Sequence, residues 1–360
     1  MPTNKPQGTN GAGMVWGKRK NKKWIGIVVA IIVAAAAGGG YLLFGLDLDS
    51  GGSSNTLSGS SDQLTRRAID GVMVAPDEAN PYPVAVIIEN LTVARPQSGL
   101  ATANVVYEAL AEGGITRFLA VFAGKTPGTI GPVRSARPYF VDWVLEYQAL
   151  FAHAGGSPQA LVDITTNDVF DLNQFYHSQY FYRDKSRNVA SEHTLFTTGE
   201  NLAFALRDLE AAEHGTFDSW KFKDDAALAD RPLDAKSISI DFSSFSYSVS
   251  YQYNREENSY VRSMAGQIHA DADGTEIHAK NIIVQKVETR LADEQRLSMD
   301  TVGSGEAIIF RDGQATTGTW EKEEKTSRTR FYDAEGDEVA LNAGQTWIEV
   351  VPTDREVTYN

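Results

Sequence analysis

The chain has 360 residues, 47 of them acidic and 33 basic, and no cysteine. That length exceeds one ordinary domain. The missing cysteine excludes disulfides, Cys-ligated zinc, thiol catalysis and a lipid-modified cysteine anchor.

Residues 1–46 hold six basic side chains and no acidic one, so the remainder carries 27 basic against 47 acidic residues, formally −20. So acidic a head is a poor general ligand for nucleic acid, and any anion it binds needs a local basic site. Residues 24–46 contain no charged side chain. At about 1.5 Å per residue they make roughly 34 Å of helix, enough to cross a bilayer. Lys18, Arg19, Lys20, Lys22 and Lys23 precede the span, and Asp47 and Asp49 follow it. The positive-inside rule then leaves 1–23 as a cytoplasmic tail and everything after the single-pass span outside the cytoplasm. The rival reading is a cleaved signal peptide with small residues at 34–37. The apolar run continuing through Tyr41, Leu42, Leu43 and Phe44 favours a retained signal-anchor. Residues 47–63, rich in Gly and Ser, read as a flexible linker.

The fold class read from the chain is α+β: a mixed α/β domain over 64–228, then an antiparallel, mostly-β domain over 229–360. In the first, residues 84–88, 105–110, 118–122 and 149–152 are apolar runs of strand type. Glu112-Gly113-Gly114 marks a turn. Ser135 as N-cap and Pro138 in the first turn open a helix over 135–147. A second helix begins near Thr197, where Thr197 and Glu200 fit a capping box. The second domain turns to period two: Ile238, Ile240 and Phe242 alternate with polar residues, as do Tyr247, Val249 and Tyr251. Asp273-Gly274, Asp312-Gly313 and Glu335-Gly336 are hairpin signals.

The segments PVAVIIEN (83–90), RPQSGL (95–100), VYEALAEGGITRF (106–118), GPVRSARPYF (131–140) and GQTWIEVVP (344–352) resemble the YerB-like family. Its members are two-domain extracytoplasmic proteins of bacterial envelopes, most described as domains of unknown function. The resemblance covers nearly everything from about residue 65 to 352. It implies a mixed N-terminal domain and a mostly-β C-terminal one, and it brings no catalytic residues. The chain departs from lipoprotein members in having no cysteine.

Arg134 and Arg137 lie at the expected helix start, where backbone N–H groups and guanidinium forks together favour an anion. Arg95 and Arg117 are possible helpers. The competing reading is ion pairing with Glu89, Glu108 or Glu112. The 170–193 loop is long and aromatic, with Tyr176, Tyr180 and Tyr182 beside Arg183 and Arg187. Aromatic faces with polar handles suit sugar rings or peptide backbones, although a small core under the loop would use the same residues.

Glu89, Glu108 and His153 form an alternative catalytic set for cleaving a glycan. No H-E-x-x-H, S-x-x-K or G-x-S-x-G signature supports an enzyme. If Asp273-Gly274 is a two-residue turn, His269, Asp271, Glu276 and His278 share one face and could hold a metal. A solvated polar face is the ordinary alternative, so neither metal nor cofactor is expected. The function read here is a membrane-tethered binding or scaffold protein of the cell envelope. Its expected partners are the membrane and an anionic cell-wall polymer or envelope protein.

Overall fold

The computed structural model describes residues 64–360. The basic tail, the 24–46 span and the 47–63 linker lie outside the described residues. Among the described residues no helix is long and apolar enough to cross a membrane.

The continuous apolar runs become the central strands. β1 (Val84–Glu89), β2 (Val105–Leu110) and β3 (Thr116–Phe122) are buried at every position. Strands covered on both faces have no reason to alternate. Next come α1 (Pro138–Leu145), β4 (Leu150–His153), α2 (Pro158–Thr166), β5 (Asp171–Asn173) and α3 (Gly199–Asp208). The helices start later than their cap signals imply. Arg137, not Ser135, is the N-cap of α1. The Ser135 hydroxyl instead donates to the Ala154 carbonyl at 2.8 Å. Thr198 caps α3 by accepting from the Asn201 N–H, while Thr197 donates to the Tyr180 carbonyl.

The second half begins with β6 (Ser237–Asp241), β7 (Ser248–Asn254), β8 (Ser259–Met264), β9 (Gln267–Ile268) and β10 (His278–Ala279). It continues with β11 (Asn281–Val287), β12 (Gly303–Arg311), β13 (Gln314–Lys322) and β14 (Arg330–Asp333). It ends with β15 (Thr346–Pro352) and β16 (Val357–Tyr359). The turn at Asp312-Gly313 is the expected two-residue one: Arg311 pairs with Gln314, and both turn residues have positive φ, 53° and 72°.

The expected all-antiparallel C-terminal domain needs correction. β15 runs parallel to β11 on one side and to β2 on the other. One ten-stranded sheet therefore crosses both halves, in the order β14-β13-β12-β11-β15-β2-β3-β1-β4-β5. The strands β9-β8-β7-β6-β16 form a second, antiparallel sheet, with β10 also on β8. The fold is largely β, with three α-helices among the described residues.

Successive residues of β2 show how the layers stack, since side chains alternate across a sheet. Tyr107 stacks on Trp143 of α1, with ring centroids 5.0 Å apart. Glu108 points the other way, to Arg262 of the second sheet. α1 therefore covers one face of the large sheet, and the small sheet covers the other.

Candidate binding cleft

β1, β4 and β5 are parallel neighbours, so their carboxyl ends at Glu89, His153 and Asn173 share one rim. Open α/β sheets place ligands outside such carboxyl ends. The chain at 131–136 is stitched across this rim. The Glu89 N–H donates to Pro132 O at 2.9 Å and the Arg134 N–H to Ile87 O at 3.0 Å. On the far side, the Ala154 N–H donates to Arg134 O at 3.0 Å.

That stitching sets Arg134 beside Glu89, with Nε 3.0 Å from one carboxylate oxygen. The other oxygen of Glu89 is 2.8 Å from His193 Nδ1. Glu89 is buried behind the pair, whereas the Arg134 side chain stays 27% exposed. A cleft of about 400 Å³ opens there, lined by Arg134, Asn173, Phe175, Tyr176, Arg183 and Glu192 among others. Arg183 is braced by its bond to the Ser191 carbonyl. Phe175 and Tyr176 are 70% and 79% exposed.

The other expected ligand residues go elsewhere. Arg137 forms a two-pronged pair with Glu112, one prong at 2.7 Å, and lines a different cleft, beside the 289–299 hairpin. Arg117 also lies near Glu112, at 3.7 Å, and donates to the Ser135 carbonyl. Burial, and then the neighbouring Arg137 charge, lower the Arg117 pKa to about 10. Arg95 holds Asn90 and the Ser246 carbonyl, and sits over the Tyr247 ring. Arg187 donates to the carbonyls of Ala94 and Pro96. Tyr182 stacks on Phe196, and with Arg187 it lines a third cleft. Tyr180 is buried, its hydroxyl bonded to Asp208. Of the residues expected to share one ligand, Arg134, Tyr176 and Arg183 share this cleft.

The alternative catalytic set does not converge. Glu108 has no exposed side-chain surface and holds Arg262, Thr116 and Asn90. Glu89 is held by Arg134 and His193. His153 is fully buried, with Nδ1 2.7 Å from the Gly155 carbonyl and Nε2 2.7 Å from Asp171. Glu89 and His153 brace strand ends, and Glu108 ties the large sheet to the small one.

The expected metal quartet is split by a one-residue register shift. Ala270, not Asp271, pairs with Glu276. Such a slip sends neighbours to opposite faces. His269 and Asp271 turn inward. His269 meets Arg262 and Gln97, and Asp271 accepts from the N–H groups of Gly99, Leu100 and Ala101. Burial, then the Arg262 charge, hold the His269 pKa well below the usual imidazole value. Glu276 and His278 turn outward, where His278 also meets Glu257. Among the described residues no group of three or more His, Cys, Asp or Glu is placed to hold a metal ion.

Asn173, Glu192 and His193 were not singled out for the cleft by sequence reasoning. Their roles follow from strand order, which hydrophobic periodicity does not encode. Asn173 Oδ1 accepts from the N–H groups of Gly155 and Phe175, at 3.1 and 3.2 Å, tying together the turns after β4 and β5.

Two family descriptions match the chain in order. “Protein of unknown function (DUF3048) N-terminal domain” covers residues 70–212, and the corresponding C-terminal domain covers 238–348. A relative from Bacillus subtilis (strain 168), named “Putative lipoprotein YerB”, is 32% identical over 284 residues, spanning 75% of this chain and 81% of the relative. The crystal structure of the YerB protein from Bacillus subtilis matches with a TM-score of 0.72 at 28% identity, covering 81% of this chain and 99% of that one. With both domains present in order and the relative's fold shared along most of its length, the chain belongs to the YerB-like, DUF3048 family of bacterial proteins of unknown function.

Proposed function

We propose that this chain is a membrane-tethered, extracytoplasmic binding or scaffold protein. It holds an anionic cell-wall polymer, or an acidic segment of an envelope partner, in the Arg134 cleft. The charge-free 24–46 span and its basic flank support the tether, as does the lipoprotein description of its relative. Lacking cysteine, this chain would need a helix where a lipoprotein uses a lipid.

The observation that carries the binding reading is the asymmetry of the Arg134–Glu89 pair. Its carboxylate is buried and its guanidinium faces a cleft that also holds Arg183. Nε serves Glu89, and a guanidinium carries five N–H donors in a fork that matches carboxylate or phosphate. In a head of formal charge −20, Arg134 and Arg183 outnumber Glu192, the one carboxylate lining the cleft, and make a local basic site.

Cosedimentation of the full-length chain with purified cell walls tests this. Arg134→Ala combined with Arg183→Ala weakens binding by about tenfold or more, since each charge-assisted bond is worth roughly 1.5–3 kcal/mol. Unchanged cosedimentation of a variant that melts like the native chain would count against the reading.

A further inference from the structure

The rim of the cleft carries a feature that anion binding alone does not require. Phe175 and Tyr176 follow β5 after Gln174 and leave most of their rings in solvent, 70% and 79% exposed. Exposed aromatic rings carry a hydration cost that a folded chain ordinarily avoids by turning them inward. Here the turn is held from beneath. Asn173 Oδ1 fixes the Phe175 N–H, and the Asn173 carbonyl accepts from the Tyr176 N–H at 2.9 Å. Gly155 lies under the Phe175 ring: a Cβ added there would sit 3.0 Å from the ring edge, at a backbone φ of +66°. Glycine is the residue that tolerates both the conformation and the close approach.

The cleft thus presents aromatic faces beside two guanidinium groups, with the amides of Asn173 and Gln174 among its lining. A linear polyol phosphate has charge and no apolar face to lay on a ring. A neutral sugar has the face and no charge. A pyranose bearing an acidic group has both: C–H faces for the aromatic rings, hydroxyls for the amides, and a carboxylate or phosphate for the arginines. The cleft volume, about 400 Å³, falls in the range of about 300–1,000 Å³ usual for small-ligand sites.

Resting on the proposed function above, we infer that the Arg134 cleft recognises acidic sugar rings, with Phe175 and Tyr176 as the stacking platform.

Titration of the full-length chain in detergent with three probes tests this. They are an oligogalacturonate (ring and charge), poly(glycerol phosphate) (charge only) and a chitooligosaccharide (ring only). The oligogalacturonate binds tightest, by about tenfold or more over either other probe. Tyr176→Ala and Phe175→Ala each weaken it several-fold. Both side chains are mostly exposed, so the variants keep the native melting midpoint. Arg134→Ala weakens both anionic probes. Equal binding of the two anions, indifferent to Tyr176→Ala and Phe175→Ala but lost in Arg134→Ala, overturns the ring inference and leaves the anion reading standing. No binding of either anion overturns both. Binding of the neutral probe equal to that of the oligogalacturonate overturns the acidic part of the inference.

Discussion

Arg262 of β8 and Glu108 of β2 form an ion pair in which neither side chain has any solvent exposure. It joins the small sheet to the large one. The same guanidinium lies over Trp347, its carbon 4.4 Å from the ring centroid, and Glu349 approaches Nε at 3.8 Å. Trp347 and Glu349 both come from β15, the strand that carries the large sheet across the two halves. A buried charge is tolerated only when paired, so this contact fixes how the halves assemble more than it adds net stability.

Two carboxylates share that one guanidinium, and they divide its charge unequally. Burial, then the Glu108 charge, push Glu349 up to about 8. At neutral pH Glu349 therefore keeps its proton, and Glu108, in direct contact with the guanidinium, is the nearer partner of Arg262. Glu349→Gln preserves the neutral form and costs less than about 1.5 kcal/mol. Glu108→Gln strips Arg262 of its counter-charge and costs about 3–5 kcal/mol. Chemical denaturation at pH 7 separates the two.

The pH dependence follows with its sign. A carboxyl raised above its unfolded value, about 4.3, contributes stability that is complete below that pH and is lost as pH rises through the folded value. Native stability thus declines between about pH 4.3 and the Glu349 value of about 8. Glu349→Gln flattens that decline. Identical stability–pH curves for native and variant would contradict the assignment.

Asp312 behaves oppositely. Burial alone would raise it, but bonds from Lys223, Asn258 and Asn342 outweigh burial and bring it down to about 2. Its contribution is present above the unfolded value of about 3.9 and is lost as pH falls through about 2. Asp312→Asn lowers stability at pH 7 by on the order of 1 kcal/mol, and the difference from the native chain closes between about pH 4 and 2. Thermal melts across that range check it.

Asp271 collects three backbone N–H groups, those of Gly99, Leu100 and Ala101, at 3.0, 3.2 and 2.9 Å. Asp271→Ala leaves those donors without their acceptor and destabilises the fold by roughly 2–4 kcal/mol. Hydrogen exchange at 99–101 accelerates in the variant, while exchange in α3 is unchanged relative to global stability. Unaltered exchange at 99–101 would show that the bonds do not hold the loop.

Much of the fold was readable residue by residue. Buried runs such as Val84–Glu89 and Val105–Leu110 announce central strands, and Asp312-Gly313 announces its hairpin. Partnership between distant strands was not readable. Nothing in the period of residues 346–351 says that they lie between β11 and β2, although the unbroken burial of Thr346–Pro352 is what a strand covered on both faces requires. The metal quartet failed on one residue of register, because a two-residue turn was assumed where the chain uses a longer one. At the cleft, residue types pointed to Arg134 and the aromatic loop. The separation of Arg137 from them came from Glu112, which a linear pattern places in a different turn.

Photocrosslinking at position 176 in living cells tests the binding cleft most directly. A benzophenone amino acid replaces Tyr176, with Leu233, 88% exposed, as a control position elsewhere on the chain. Our account predicts adducts with acidic envelope glycan at 176, absent at 233, and lost when Arg134→Ala is added. Adducts that are equal at both positions, or that persist without Arg134, would contradict it.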